Sequence, residues 1–89
     1  MRVDDIKRNL GLIFEGLTAD DGATLLNRTD LTPAERERLD LFLDGIPVKD
    51  IKRRQKVTAP AVNNSLSNAQ RKLWIVKKEM GLNSVDVIE

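Results

Sequence analysis

The chain has 89 residues, a formal net charge of +1, 40% apolar and 3% aromatic residues, and neither cysteine nor histidine. These figures allow one domain with a modest aliphatic core, and they exclude disulfide scaffolding, thiol chemistry, histidine acid–base catalysis and Cys- or His-ligated metals. No run approaches the ~18 apolar residues of a membrane span, and Asp4 and Asp5 break the N-terminus before a signal-peptide core can form, so the sequence reads as a soluble, cytoplasmic protein without cofactor or metal.

Val3, Ile6, Leu10, Ile13, Phe14 and Leu17 fall on one face at steps of three and four, which predicts an amphipathic helix over residues 3–17. Asp4 and Asp5 suit its first turn, where free backbone N–H groups favour negative charge. Asp21-Gly22 predicts a stop over residues 18–22, with one further turn around Leu25 and Leu26. Thr32, Pro33 and Glu35 form a capping box with proline at the first helical position. The helix they open should run from 33 to 44, bury Leu39, Phe42 and Leu43, and end at a left-handed Gly45. A short helix from Pro47 or Val48 to Gln55 turns Ile51 inward. A break at Lys56 and Val57 leads to Thr58, a second N-cap, with Pro60 in the first turn.

Beyond it, Val62, Leu66, Ala69, Leu73, Val76 and Met80 alternate steps of four and three, so this helix should continue to about Met80. Gly81 and Asn83 end it, leaving Leu82, Val85 and Ile88 to face inward on a final short helix. The expected fold is all-α: a small helical domain with a helix-turn-helix and an extended second helix. Residues 1–27 read as an N-terminal packing or interaction element, and residues 31–89 as the helix-turn-helix domain with a C-terminal extension.

Charge is unevenly spread. Residues 1–50 carry a net charge of −4 and residues 51–89 a net of +5, which suits a protein that points one end at a polyanion. From Thr58 through Lys78 there is no Asp or Glu. With Val62, Leu66 and Leu73 inward, Asn64, Ser67 and Arg71 lie on the opposite side, with Asn63 and Gln70 at the flank. Asn and Gln match the N6/N7 edge of adenine, and Arg the O6/N7 edge of guanine. Lys52, Arg53, Arg54 and Lys56 are placed to hold phosphates.

Residues 31–73, LTPAERERLDLFLDGIPVKDIKRRQKVTAPAVNNSLSNAQRKL, resemble the LuxR/GerE-type helix-turn-helix domain. Leu31-Thr32-Pro33 with Glu35, Arg36 and Glu37 matches the family's opening, and Gly45 its helix-ending glycine. Lys49 to Arg54 matches its Lys-Glu-Ile-Ala-Arg-Arg tract, and Ala61 to Asn68 its recognition segment. The resemblance implies sequence-specific binding of double-stranded DNA by a transcription regulator, with Asn63, Asn64 and Ser67 facing bases and Thr58 holding phosphate together with the basic tract. The chain departs from the pattern at six places. Lys52 replaces a small alanine, Gln55 a buried leucine, Lys56 a turn glycine, and Trp74 the glycine that closes the family's recognition helix. Asn63 and Ser65 stand where the recognition segment usually has Lys and His, so any target sequence should differ from the common family pattern.

Adjacent carboxylates at Asp4-Asp5 and Asp20-Asp21 lack any supporting His, Cys or Tyr, so they read as cap and turn residues and the chain as no enzyme. The competing reading is a protein-binding adaptor or anti-activator on the same scaffold, contacting a regulator or RNA polymerase. For assembly, Trp74 and Ile75 lie on the outer half of the long helix and read as anchors of a homodimer, joined by Leu82, Val85 and Ile88; the alternative is that the N-terminal helix, with Leu10, Ile13 and Phe14, folds back and covers them within one subunit. Lys77 and Lys78 are expected near DNA or solvent. Two-fold symmetry would offer two recognition helices to half-sites about 34 Å apart.

Overall fold

The computed structural model describes residues 2–81; the expected final helix, with Leu82, Val85 and Ile88, lies outside them. Five helices follow one another: α1 (Val3–Phe14), α2 (Ala19–Arg28), α3 (Pro33–Leu43), α4 (Val48–Gln55) and α5 (Ala59–Glu79). No strand occurs among the described residues, so the fold is all-α.

The element boundaries follow local chemistry. Helix α1 stops three residues earlier than its apolar pattern, because Gly16 turns the chain at φ +79°. Leu17 packs on the core from beyond the helix. The stretch expected to be a stop, Thr18 to Gly22, instead opens α2. Thr18 Oγ1 accepts from the Asp21 N–H at 3.0 Å, and Asp20 and Asp21 occupy the first turn, where the helix dipole favours them. The Phe14 ring lies 3.6 Å from where a Cβ on Gly22 would sit, an ordinary contact distance. Asp-Gly here lies inside the opening of a capped helix rather than in a turn. Helix α2 is ten residues long instead of a single turn.

Helix α3 begins with the expected capping box, complete in both directions between Thr32 and Glu35. It ends in a Schellman arrangement around Gly45 at φ +91°. The Ile46 N–H reaches Leu41 O, and the Gly45 N–H reaches Phe42 O.

The core is Ile6, Leu10, Ile13, Leu25, Leu39, Ile51, Val62, Leu66, Ala69 and Leu73. Four of these come from α5, whose inner face touches each of the other four helices. The N-terminal segment shares this core, with three residues of α1 and one of α2 in it.

Several polar ties join the helices. Asn9 Nδ2 donates to Gln70 Oε1 at 3.3 Å, so Gln70, expected at the outer flank of α5, is buried against α1. Two further ties are made by lysines of α5. Lys72 Nζ lies 2.8 Å from Glu35 Oε1 and 3.2 Å from the Asp30 carbonyl, fixing α5 to the start of α3. Lys77 was expected near DNA or solvent but is 1% exposed. Its ammonium donates to Leu12 O at 3.3 Å and sits 6.0 Å from the centroid of the Trp74 ring. The Leu12 carbonyl belongs to the last turn of α1, which has no basic residue of its own. Lys77 thus supplies from α5 the cation that the negative end of α1 favours, while its stem fills space between the helices.

Both lysine ties give measurable consequences. Burial by itself would raise the Glu35 pKa, but hydrogen bonds from Lys72 and Thr32 and the charge of Lys72 outweigh it and hold the carboxyl below its ordinary 4.5. A depressed carboxylate stabilises the fold above its ordinary value and loses that contribution as pH falls through the folded one. Melting curves should therefore show wild type more stable than Glu35→Gln at neutral pH, with the gap closing below pH 4.5. For Lys77, chemical denaturation should show Lys77→Ala losing about 2 kcal/mol through lost packing and a lost cap. Lys77→Met, which keeps the stem, should recover most of that.

Candidate nucleic-acid interface

Helices α4 and α5 are joined by only Lys56, Val57 and Thr58. The turn repeats the chemistry that ends α3. The Val57 N–H reaches Lys52 O at 3.0 Å, and the Lys56 N–H reaches Arg53 O at 3.3 Å. Here, however, the left-handed residue is Lys56, at φ 56° and ψ 46°. It is the one non-glycine residue with positive φ among those described. A lysine pays a steric cost in that region that glycine does not.

Thr58 then caps α5, its Oγ1 accepting from the Ala61 N–H at 3.2 Å. The hydroxyl hydrogen is left to donate elsewhere, so capping and a phosphate contact are compatible. No acidic residue occupies the first turn of α5, whose exposed N–H groups favour an anion.

Lys52, Arg53, Arg54 and Lys56 are all exposed. Ile51, at the centre of α4, is buried, and Val48 and Gln55 flank it on the inner side, both half-buried. On α5, Asn64, Asn68 and Arg71 are exposed and Ser67 is half-buried. Arg71 Nη2 donates to Asn68 Oδ1 at 2.8 Å, which holds the guanidinium along the outer face with further N–H donors to offer. Asn68 was not among the expected reading residues, although it lies one turn from Asn64 and three residues from Arg71 on the same face. Asn63 sits differently. It is half-buried and its Oδ1 is enclosed without a hydrogen-bond partner, so reading a base through that oxygen requires a change of rotamer.

The departures at residues 55 and 65 are linked by a residue the sequence did not single out. Arg38, on α3, donates from Nε to Gln55 Oε1 and from Nη1 to Ser65 Oγ at 2.6 Å. One guanidinium thus ties α3 to both helices of the α4–α5 pair. Gln55 Nε2 remains buried without a partner. Lys52 points its charge into solvent, as its substitution for a small residue requires.

Of the residues expected at a dimer interface, Trp74 is 38% and Ile75 is 55% exposed. Trp74 borders a shallow hollow with Asn9, Leu12, Ile13 and Gln70, so α1 covers one side of the indole. Ile75 lies on the other side, next to Val76 and Lys72. No described helix is long and apolar enough to cross a membrane.

Lys56 carries two opposed demands, backbone comfort and surface charge. Lys56→Gly should raise stability by about 1 kcal/mol by relieving the left-handed strain, measured by urea denaturation, yet it removes one exposed cation from the α4–α5 turn. A loss of stability in this variant would show that the lysine side chain is itself part of the packing. Compared with known proteins, the chain matches no family model, no curated protein and no solved structure, so the meaning of this surface has to come from its own residues.

Proposed function

We propose that the protein is a sequence-specific, non-enzymatic regulator that binds double-stranded DNA, placing the first half of α5 in the major groove. The observation that carries this reading is the outer face of α5. Asn64, Asn68, Arg71 and Lys78 are exposed along it, no carboxylate occurs between Thr58 and Lys78, and the exposed cations of α4 precede it across a three-residue turn. The rest of the chain is rich in Asp and Glu, and phosphate repulsion is a direct reason to keep them out of this stretch. Asn64 and Arg71 carry the donors and acceptors that read base edges. Lys52, Arg53, Arg54, Lys56 and Thr58 hold phosphates and fix the docking. The likeness of residues 31–73 to LuxR/GerE-type domains supports the same reading, as does the pairing of a short helix with a longer one across a tight turn. Such a regulator works beside the chromosome, in the cytoplasm, and as a homodimer.

A second reading, an adaptor that binds a regulator or RNA polymerase, is favoured by the exposed apolar residues Leu12, Trp74 and Ile75. A titration of random-sequence duplex DNA at increasing salt separates the two. On the DNA reading, binding is measurable at low salt and falls steeply as salt rises, and Arg54→Ala or Lys56→Ala each reduces the slope by about one counterion. Asn64→Ala should cost about 1–3 kcal/mol at a selected site and little on random duplex. Absence of binding at low salt would favour the adaptor.

A further inference from the structure

On the side of the molecule where α5 contributes no wall, α1 and α3 diverge around a groove. A hollow of about 360 Å³ there is bounded by Lys7, Leu10, Gly11, Phe14, Phe42 and Leu43. It continues past Gly45 toward the start of α4. Three features of it have no use within one chain.

Gly11 sits in the interior of α1, where glycine weakens a helix, yet a Cβ there would meet nothing within 4 Å. No intramolecular contact requires its absence. Leu43, on the opposite rim, was expected in the core with Leu39 and Phe42 but is 43% exposed, the one large apolar side chain of α3 left in solvent. Lys7 lines the groove, and Asp44 follows the lining residue Leu43 in the chain; both are exposed, carry opposite charge, and among the described residues neither has an ion-pair partner.

A hole beside a knob and a cation beside an anion make a patch that is complementary to itself, the condition for an isologous two-fold interface. We propose that this groove is where a second copy of the chain docks. Leu43 of each copy fills the space over Gly11 of the other, and Lys7 of each meets Asp44 of the other. Trp74 and Ile75 then stay out of the dimer contact. Ile75 is one turn from Arg71, on the face assigned to DNA. The arrangement has a consequence that rests on the DNA reading. With α1 and α3 back to back, the two α5 helices lie on opposite outer surfaces, so a dimer holds two separate duplexes rather than adjacent half-sites on one.

The test begins with sedimentation equilibrium of the full chain without DNA. Wild type should dimerise in the micromolar range. Leu43→Arg should weaken association by about tenfold or more with its melting curve intact, since an added cation at the C-terminus of α3 is favourable there. Lys7→Glu and Asp44→Lys should each weaken the dimer, and the double exchange should restore it. A monomeric wild type overturns the proposal. So does a dimer that survives Leu43→Arg but is lost in Trp74→Ala with Ile75→Ala, which would put the interface on α5. For the consequence, a bead-bound duplex should capture a second, labelled duplex with wild type but not with Leu43→Arg, which still binds single duplexes. A dimer that binds duplex without bridging overturns the back-to-back geometry. A dimer that binds no duplex at all overturns the DNA reading and leaves the interface standing.

Discussion

The whole fold depends on burying one stripe of α5. Val62, Leu66, Ala69 and Leu73 are fully enclosed, and every other helix makes contact with that helix. A chain this small has little area with which to build a core, and only two phenylalanines and one tryptophan to enlarge it. Using one long helix as the common wall lets the four shorter helices bury their apolar faces together instead of in pairs. It also fixes the functional geometry. The residues opposite the stripe are held outward by the same packing that holds the stripe inward, so the outer face of α5 is rigid wherever the core beneath it is rigid.

Polar ties supply what the aliphatic core lacks. Arg38, Lys72 and Lys77 each bridge elements far apart in sequence, and each ends on an oxygen whose identity matters: a glutamine and a serine, a capping carboxylate, and the last-turn carbonyl of α1. Buried polar groups cost free energy unless they are paired, so these contacts specify a register more than they add gross stability. Glu35 shows the economy of the arrangement. One carboxylate closes the capping box of α3 and receives the lysine that anchors α5.

Much of this was legible in the sequence, and the failures have physical causes. The apolar periodicity of α5 and the capping residues Thr32 and Thr58 marked their elements correctly, because helix ends are set by local hydrogen bonding. Helix α2 escapes the pattern because Asp-Gly is a turn signal only when nothing else claims it. Here Thr18 supplies a cap, and Leu25 supplies burial that propensity scales do not see. Lys77 is buried although its charge predicts exposure. At its position the helical angle points it toward α1, and a carbonyl waiting at the end of that helix makes burial tolerable. Arg38 was invisible for a different reason: its two partners lie 17 and 27 residues away, and no local pattern encodes such a meeting. On the outer face, Asn64 and Arg71 could be found by periodicity alone. Asn68 required the observed pairing with Arg71 to draw attention to it.

The turn between α4 and α5 shows where structural and surface demands separate. Glycine ends α3 in the same geometry at no steric cost, so the chain has that solution available and does not use it at residue 56. A lysine in the left-handed region is tolerated because the flanking hydrogen bonds, Val57 to Lys52 and Lys56 to Arg53, over-determine the conformation. Strain kept at a position where a better residue is known elsewhere in the same fold argues for a role of the side chain outside the fold. A cation is the property that lysine brings and glycine lacks. Lys56 adds it directly beside the N-terminus of α5, where the backbone dipole and the three basic residues in the last turn of α4 already attract an anion. The local sequence thus gives up backbone comfort in the direction that strengthens the positive field at the start of the proposed reading helix.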